Sequence, residues 1–205
     1  MFFREFENQI KPLQTFNLND IRKIEPFFHR TQLNDWILRG YIKPFANGYY
    51  ILSNTIIDEN LLFMFANMIY EPSYISLESA LAYYQFIPES VLSITSISTL
   101  KTKSFNTDFG NITYRSIKPK IMFGYENITI SQNIKFKIAK LEKAILDYLY
   151  LNSTIKTIED FESLRWNKNI INNLNKNNLF IKYQRVFNNK ALNNRINIMM
   201  EYANA

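Results

Sequence analysis

Between Phe3 and Leu52 the spacing of apolar side chains changes from a helical period to an alternating one, and that order narrows the fold more than any other feature. Phe3, Phe6, Ile10 and Leu13 recur three and four residues apart, the spacing that lines one face of a helix, and Pro12 marks its end. Asn17 with Asp20 three residues on is a capping-box-like pair, so a second helix is predicted there. Leu18, Ile21 and Ile24 form its apolar side, and Pro26 closes it. A third helix is predicted over 27–39 with Leu33, Trp36 and Ile37 as its buried stripe, and Gly40 stands where a left-handed C-terminal cap belongs. Beyond it, Tyr41-Ile42-Lys43 and Tyr49-Tyr50-Ile51-Leu52 flank the turn signal Asn47-Gly48, which reads as a β-hairpin.

Three helices followed by a hairpin is the order of a winged helix-turn-helix, in which the third helix enters a DNA major groove and the hairpin touches flanking phosphate. The other use of such a unit is contact with protein alone. Projecting the third helix at about 100° per residue with Leu33 inward places Thr31, Asn34, Asp35 and Leu38 outward, Gln32 and Arg39 on one flank and Arg30 on the other. Arg30, Thr31, Gln32 and Asn34 are therefore the base-edge candidates. Arg and Gln can each make two hydrogen bonds to a base edge, guanine and adenine respectively, whereas Asp35 reads cytosine or faces solvent. Lys43 and Asn47 on the hairpin, with Arg22 and Lys23 on the second helix, are the phosphate candidates. His29 projects inward and reads as a satisfied, partly buried imidazole without chemistry.

Composition bounds what else the chain can do. It carries 24 Lys+Arg against 18 Asp+Glu, a net charge of +6, with one His and no Cys. The absence of Cys excludes disulfides, thiol nucleophiles and Cys-bound zinc, and Ser–His catalysis would have to rest on His29 alone. The expectation is a non-enzymatic protein without a cofactor. Met1 to Ile57 holds 7 basic and 5 acidic residues, Asp58 to Asn152 holds 9 of each, and Ser153 to Ala205 holds 8 and 4, so the basic excess sits at the two ends. The opening MFFREFENQ places charge where a secretory leader needs an apolar core, and the apolar stretch 61–66 is far shorter than a bilayer span. A cytoplasmic location is expected.

From Asp58 the pattern reads as a second unit, which divides the chain into 1–57 and 58–205. A helical run through Leu61, Leu62, Phe65 and Met68 leads to a helix over 77–84 with Ser76 as a single N-cap. Strands are predicted over 91–95, 101–107, 112–117 and 121–125, the middle pair joined by a turn at Asp108-Phe109-Gly110-Asn111. A helix over 139–151 follows, with Leu141, Ile145 and Leu149 on one side and Lys143–Asp147 on the other. The fold class is α+β, with the second unit a small, mainly antiparallel sheet packed on helices. The section 153–205 reads as a basic, polar tail subdomain: helices near 158–164 and 170–174, a strand over 179–187 and a terminal helix from Ala191. Its many Asn residues suggest loose packing or an extra phosphate-contacting arm.

No P-loop, dinucleotide fingerprint or nucleophile elbow is present, and Asp108-Phe109-Gly110 lacks the companion motifs of a kinase. Glu78, Asp108, Glu126, Glu142 and Asp147 could build a nuclease metal site only by converging in space. Lys101, Lys103, Arg115, Lys118 and Lys120 cluster on or beside the middle hairpin. They read either as a guarded sheet edge or as a contact surface for nucleic acid or an acidic partner.

Three stretches carry a family resemblance: FHRTQLNDWILRGYIKPFANGYY (28–50), the run 66–125, and IAKLEKAILDYLYLN (138–152). Their most specific pieces are PSYISLESAL, the IPE…ITS step, the TKSFNT…G…Y…IKP hairpin and EKAILDYLYL. Together they resemble the AbiEi antitoxin family of type IV toxin–antitoxin, or abortive infection, systems. The resemblance implies an N-terminal winged helix-turn-helix that represses its own operon by binding promoter repeats. It also implies a C-terminal domain that counters a nucleotidyltransferase-like toxin, without requiring a stable complex. DNA contact carries over to the third-helix and hairpin residues named above. Antitoxin activity carries over only to the basic hairpin. The alternative is a winged-helix regulator controlled by a ligand in the second unit, which would need a deep apolar pocket.

Overall fold

The computed structural model describes residues 3–88, 93–132 and 134–205 of the chain. The fold is mixed α+β, with a three-stranded antiparallel sheet and a six-stranded mixed sheet.

The first helix, α1 (Phe3–Ile10), buries Phe6 and Ile10 and runs into a 3-10 turn over Lys11–Leu13. Asn17 then caps α2 (Leu18–Ile24) as expected: its side chain accepts from the Asn19 and Asp20 amides, and Asp20 reaches back to the Asn17 amide at 3.1 Å. Helix α3 (Arg30–Leu38) is shorter than predicted, because residues 26 and 27 form a turn after Pro26. Gly40 has φ +70°, a backbone that L side chains rarely adopt, which ends α3 where the sequence places its cap.

The hairpin consists of β2 (Ile42–Pro44) and β3 (Tyr49–Leu52). The two-residue strand β1 (Phe16–Asn17) adds to the other side of β3, a pairing the sequence pattern did not announce. Strand β3 alternates between two cores. Tyr50 and Leu52 pack with Phe6, Phe16, Ile21, Leu33 and Trp36 under the three helices, while Tyr49 and Ile51 pack into the larger core of the second unit. The period of a strand puts successive side chains on opposite faces, so the small sheet is a wall shared by both cores.

The second unit begins with α4 (Glu59–Ile69), capped by Asp58, and continues through β4 (Ser73–Ile75) and α5 (Leu77–Tyr83). Strands β5 (Ile94–Ser98), β6 (Lys103–Thr107), β7 (Gly110–Ser116), β8 (Tyr125–Thr129) and β9 (Lys135–Ala139) complete the sheet in the order β6-β7-β5-β4-β9-β8. The predicted turn at Asp108-Phe109 joins β6 to β7, with Thr107 opposite Gly110. Of the strand predicted over 91–95, Val91 and Leu92 lie outside the described residues. No strand forms over 121–125: Pro119–Ile121 is a 3-10 turn, and the chain becomes extended only at Tyr125.

The sheet is larger than predicted and mixed, since β4 runs parallel to β9 and β5 parallel to β7. Helix α4 covers one face, where the Tyr114 hydroxyl donates to the Ala66 carbonyl. Helices α5 and α6 (Leu141–Leu151) cover the other.

The last section is wholly helical: α7 (Ile158–Leu164), α8 (Lys168–Leu174), α9 (Asn178–Phe187) and α10 (Lys190–Asn204). The strand predicted over 179–187 is α9. Its β-branched and aromatic residues mimic a strand, but Phe180, Tyr183 and Phe187 fall on one helical face. Nor is the tail loosely packed. Phe161, Trp166, Ile171, Phe180, Phe187, Leu192, Ile196 and Met199 are buried in the same core as the sheet. Its Asn residues cap instead: Asn167, Asn177 and Asn189 accept amide hydrogens at the starts of α8, α9 and α10.

The shared wall makes a testable claim. Phe45 is buried edge-to-face against Phe65 at 4.5 Å and stacked on Phe109 at 5.6 Å. Phe45→Ala is expected to cost about 3 kcal/mol. Urea denaturation should show the N-terminal helices and the second unit losing stability together.

Candidate nucleic-acid interface and a buried ion pair

The third helix presents the face that projection assigned to it. Leu33 and Trp36 are buried, Ile37 is half-buried, and Arg30, Thr31, Gln32, Asn34, Asp35, Leu38 and Arg39 are exposed. Phe28 and Phe6 hold Trp36 from two sides at 4.9 and 4.7 Å between ring centroids, which fixes the rotation of α3 about its axis.

Not all the exposed groups are equally available. The Gln32 side chain accepts the His29 backbone N–H at 3.0 Å. Arg39 pairs with Asp35 at 3.0 Å and Lys23 with Asp20 at 2.8 Å; both pairs are solvent-exposed, so a phosphate can compete for the cations. The Arg22 guanidinium donates to the Phe28 carbonyl at 3.4 Å, which places it beside the start of α3. Arg30 and Lys43 make no ion pair among the described residues.

One sequence expectation fails here. His29 is exposed rather than partly buried, because α3 starts at Arg30, three residues later than the spacing predicts, and His29 takes the extended N-cap backbone (φ −92°, ψ 142°), outside the helical projection. Asn47 is exposed, and its side-chain amide donates to the Ile69 carbonyl at the end of α4, at 2.9 Å. The hairpin tip is docked on the second unit.

The five basic residues around the middle hairpin do not form one face. Lys103 lies opposite Tyr114 across the β6–β7 ladder and so shares its face, its ammonium 4.5 Å from the Phe105 ring centroid. Arg115, the next residue on β7, points to the other face and donates to the Leu151 carbonyl at the end of α6, at 3.3 Å. Arg195 donates to the Leu149 carbonyl at 3.0 Å, so two guanidinium groups satisfy the orphan carbonyls of that helix end. Lys101, Lys118 and Lys120 are exposed.

The carboxylates proposed for a metal site are dispersed. Glu142 accepts from the Asn177 amide, Glu126 lies by Tyr84 and Lys140, Asp147 is buried, and Asp108 is in the hairpin turn. Among the described residues no group of three His, Cys, Asp or Glu could hold a metal ion.

The feature that sequence reading missed is the environment of Lys143 and Asp147. Sequence spacing places both on the side of α6 opposite Leu141, Ile145 and Leu149, and both are 0% exposed. Their side chains are bonded to each other, the Asp147 carboxylate also accepts from Tyr74 at 2.9 Å and Ser76 at 3.0 Å, and the Lys143 ammonium donates to the Tyr74 hydroxyl at 2.9 Å. The rings of Phe187, Phe123 and Tyr74 surround the ammonium at 4.8, 5.2 and 5.4 Å, a cation–π cage.

Gly124, at φ +73°, is part of the same packing: a Cβ there would come within 2.9 Å of the Tyr183 ring and 3.2 Å of Lys143 Cβ. Burial pushes the Lys143 ammonium down and the Asp147 carboxyl up from their ordinary values, and their mutual attraction opposes both shifts. The burial of Lys143 depends on the helical state of α9. Once 179–187 is helical, Tyr183 and Phe187 stand one turn apart over Lys143. Ser76, the predicted cap of α5, makes no cap bond because its hydroxyl serves Asp147. Thr95 Oγ1 from β5 accepts the Ser79 amide instead, at 3.0 Å.

No protein-family model matches the chain, and no curated protein matches it. No helix among the described residues is long and apolar enough to cross a membrane.

Two predictions follow from the buried groups. Asp147→Ala, which strands the Lys143 charge, should destabilise by about 3–5 kcal/mol, whereas Lys143→Met with Asp147→Leu should recover most of that loss in a denaturant titration. Burial also raises the hydroxyls of Tyr74, Tyr84 and Tyr114, and that of Tyr148 to about 12. Stability from these protonated tyrosines is complete below the unfolded value near 10 and is lost as pH rises through the folded values. The urea midpoint should therefore fall steeply from about pH 10 to about pH 12, with the tyrosinate absorbance of these four hydroxyls appearing together with unfolding and not before it.

Proposed function

We propose that residues 1–57 act as a winged helix-turn-helix that binds promoter DNA. On this reading the chain is an antitoxin and autorepressor of a type IV system, and its second unit counters a nucleotidyltransferase-like toxin. The observation that carries the DNA reading is the exposed face of α3: Arg30, Thr31, Gln32 and Asn34 stand outward on a helix whose rotation is locked by Leu33 and Trp36, with cations at Arg22 and Lys43 on flanking elements. Side chains of these types in this arrangement suit base edges and phosphates.

The antitoxin part is supported by the resemblance of PSYISLESAL and EKAILDYLYL to the AbiEi family. Those two motifs supply Tyr74 and Ser76 on one side of the buried cluster and Lys143 and Asp147 on the other. On this reading the motifs secure the fold of the antitoxin unit, and its contact surface lies elsewhere, at Lys101, Lys103, Lys118 and Lys120. On the hairpin, Lys43 supplies the cation, and the exposed Asn47 stands at the tip with its amide bonded to the Ile69 carbonyl.

Binding should weaken steeply with salt, since Lys and Arg displace counterions from phosphate. Arg30→Ala should cost about 1–3 kcal/mol and relax one base position, and Lys43→Ala should weaken all sequences alike. Gel-shift titrations on promoter and scrambled duplexes separate these cases, and equal losses on both for Arg30→Ala would remove the base-reading role.

The antitoxin role is tested by growth of cells expressing the adjacent reading frame, with this chain supplied from an unrelated promoter. Rescue by the full chain supports it; a toxic neighbour without rescue, or a harmless one, overturns it.

A further inference from the structure

We infer that Leu38 reads thymine methyl groups, so that the duplex fitted by α3 carries thymine beneath the C-terminal half of the helix. The inference rests on the reading of α3 as a DNA-contacting helix and goes beyond it by naming the base. Every other large apolar residue of α3 is turned inward: Leu33 and Trp36 are buried and Ile37 is half-buried. Leu38 is 86% exposed. It lies four residues after Asn34 and seven after Thr31, on the same outward line of the helix. At 1.5 Å per residue that line is about 10 Å long from Thr31 to Leu38, roughly three base-pair steps.

The chemistry around Leu38 narrows what it can meet. Its neighbour Arg39 is held by Asp35 at 3.0 Å, so this end of the face presents a compensated pair and an isobutyl group. The start of the face carries Arg30, with Arg22 beside it. A surface cationic at one end and apolar at the other fits a polyanion that also offers an apolar group. In the major groove the one such group on a base edge is the C5-methyl of thymine. Asn34, one turn earlier, has the amide that pairs with adenine N6 and N7. The line therefore assigns adenine to Asn34 and thymine to Leu38, with Arg30 on the flank at its start suited to guanine.

The test uses the full chain and a pool of duplexes with a randomised central segment. Sequences enriched by the wild-type protein are resynthesised with thymine or with deoxyuridine, which removes only the methyl group. The expected result is a loss of about fourfold in affinity for each contacted methyl with wild-type protein. Leu38→Ala should show no such loss and should bind the thymine duplex about as wild type binds the deoxyuridine duplex. Leu38 is exposed and alanine favours helix, so the variant keeps its fold. Equal sensitivity to deoxyuridine in both proteins, or none in wild type, overturns the role of Leu38 while the DNA reading stands. A pool that yields no enriched sequence overturns the DNA reading itself.

Discussion

Taking an ammonium and a carboxylate out of water costs several kcal/mol for each, and the cost is met only where partner groups replace the lost solvent. At Lys143 and Asp147 the replacements come from four separate parts of the chain: Tyr74 and Ser76 at the end of β4, Phe123 in the loop before β8, Phe187 on α9, and the pair itself on α6. Removing any of these contacts leaves a buried charge short of a partner, so strand, loop and tail helix are held to one arrangement. Asn177 extends the same constraint, since its side chain both caps α9 and donates to Glu142 in the first turn of α6 at 2.7 Å.

A second constraint acts at the other end of the molecule. Because β3 sends alternate side chains into two cores, the helix with the exposed polar face cannot be regarded as a free module on a tether. Phe45 and Asn47 anchor the hairpin tip to α4 and to the turn at Phe109. A helix fixed in rotation and joined through this wall to the larger sheet presents Arg30, Asn34 and Leu38 in a constant register, as the proposed reading of neighbouring bases would require. The same docking fixes the hairpin tip against the end of α4, while Asn47 and Gly48 stay exposed.

Much of the first unit was legible because its signals are local. The Asn17–Asp20 cap, the Leu33/Trp36 stripe and the left-handed Gly40 each depend on residues within a few positions of one another. Of the strands that were missed, β1 and β4 have two and three residues, too few to show a period, whereas β8 and β9 are five-residue neighbours whose local pairing the sequence reading passed over. The run 179–187 failed for another reason: its composition favours strand, and the helix is chosen by the chance to bury Phe180, Tyr183 and Phe187 over α6.

By itself the sequence determined the order of the N-terminal elements, the outward line of α3 and the absence of thiol chemistry, all of which follow from residue type and near-neighbour spacing. The tertiary structure alone decided that Lys143 and Asp147 are internal, that Arg115 serves a helix end, and that the Asn47 amide bonds to the end of α4. Each of those outcomes depends on which group far along the chain arrives within hydrogen-bonding or ring-contact distance. That proximity is set by the packing of the two cores, and the spacing of residues along the chain does not encode it.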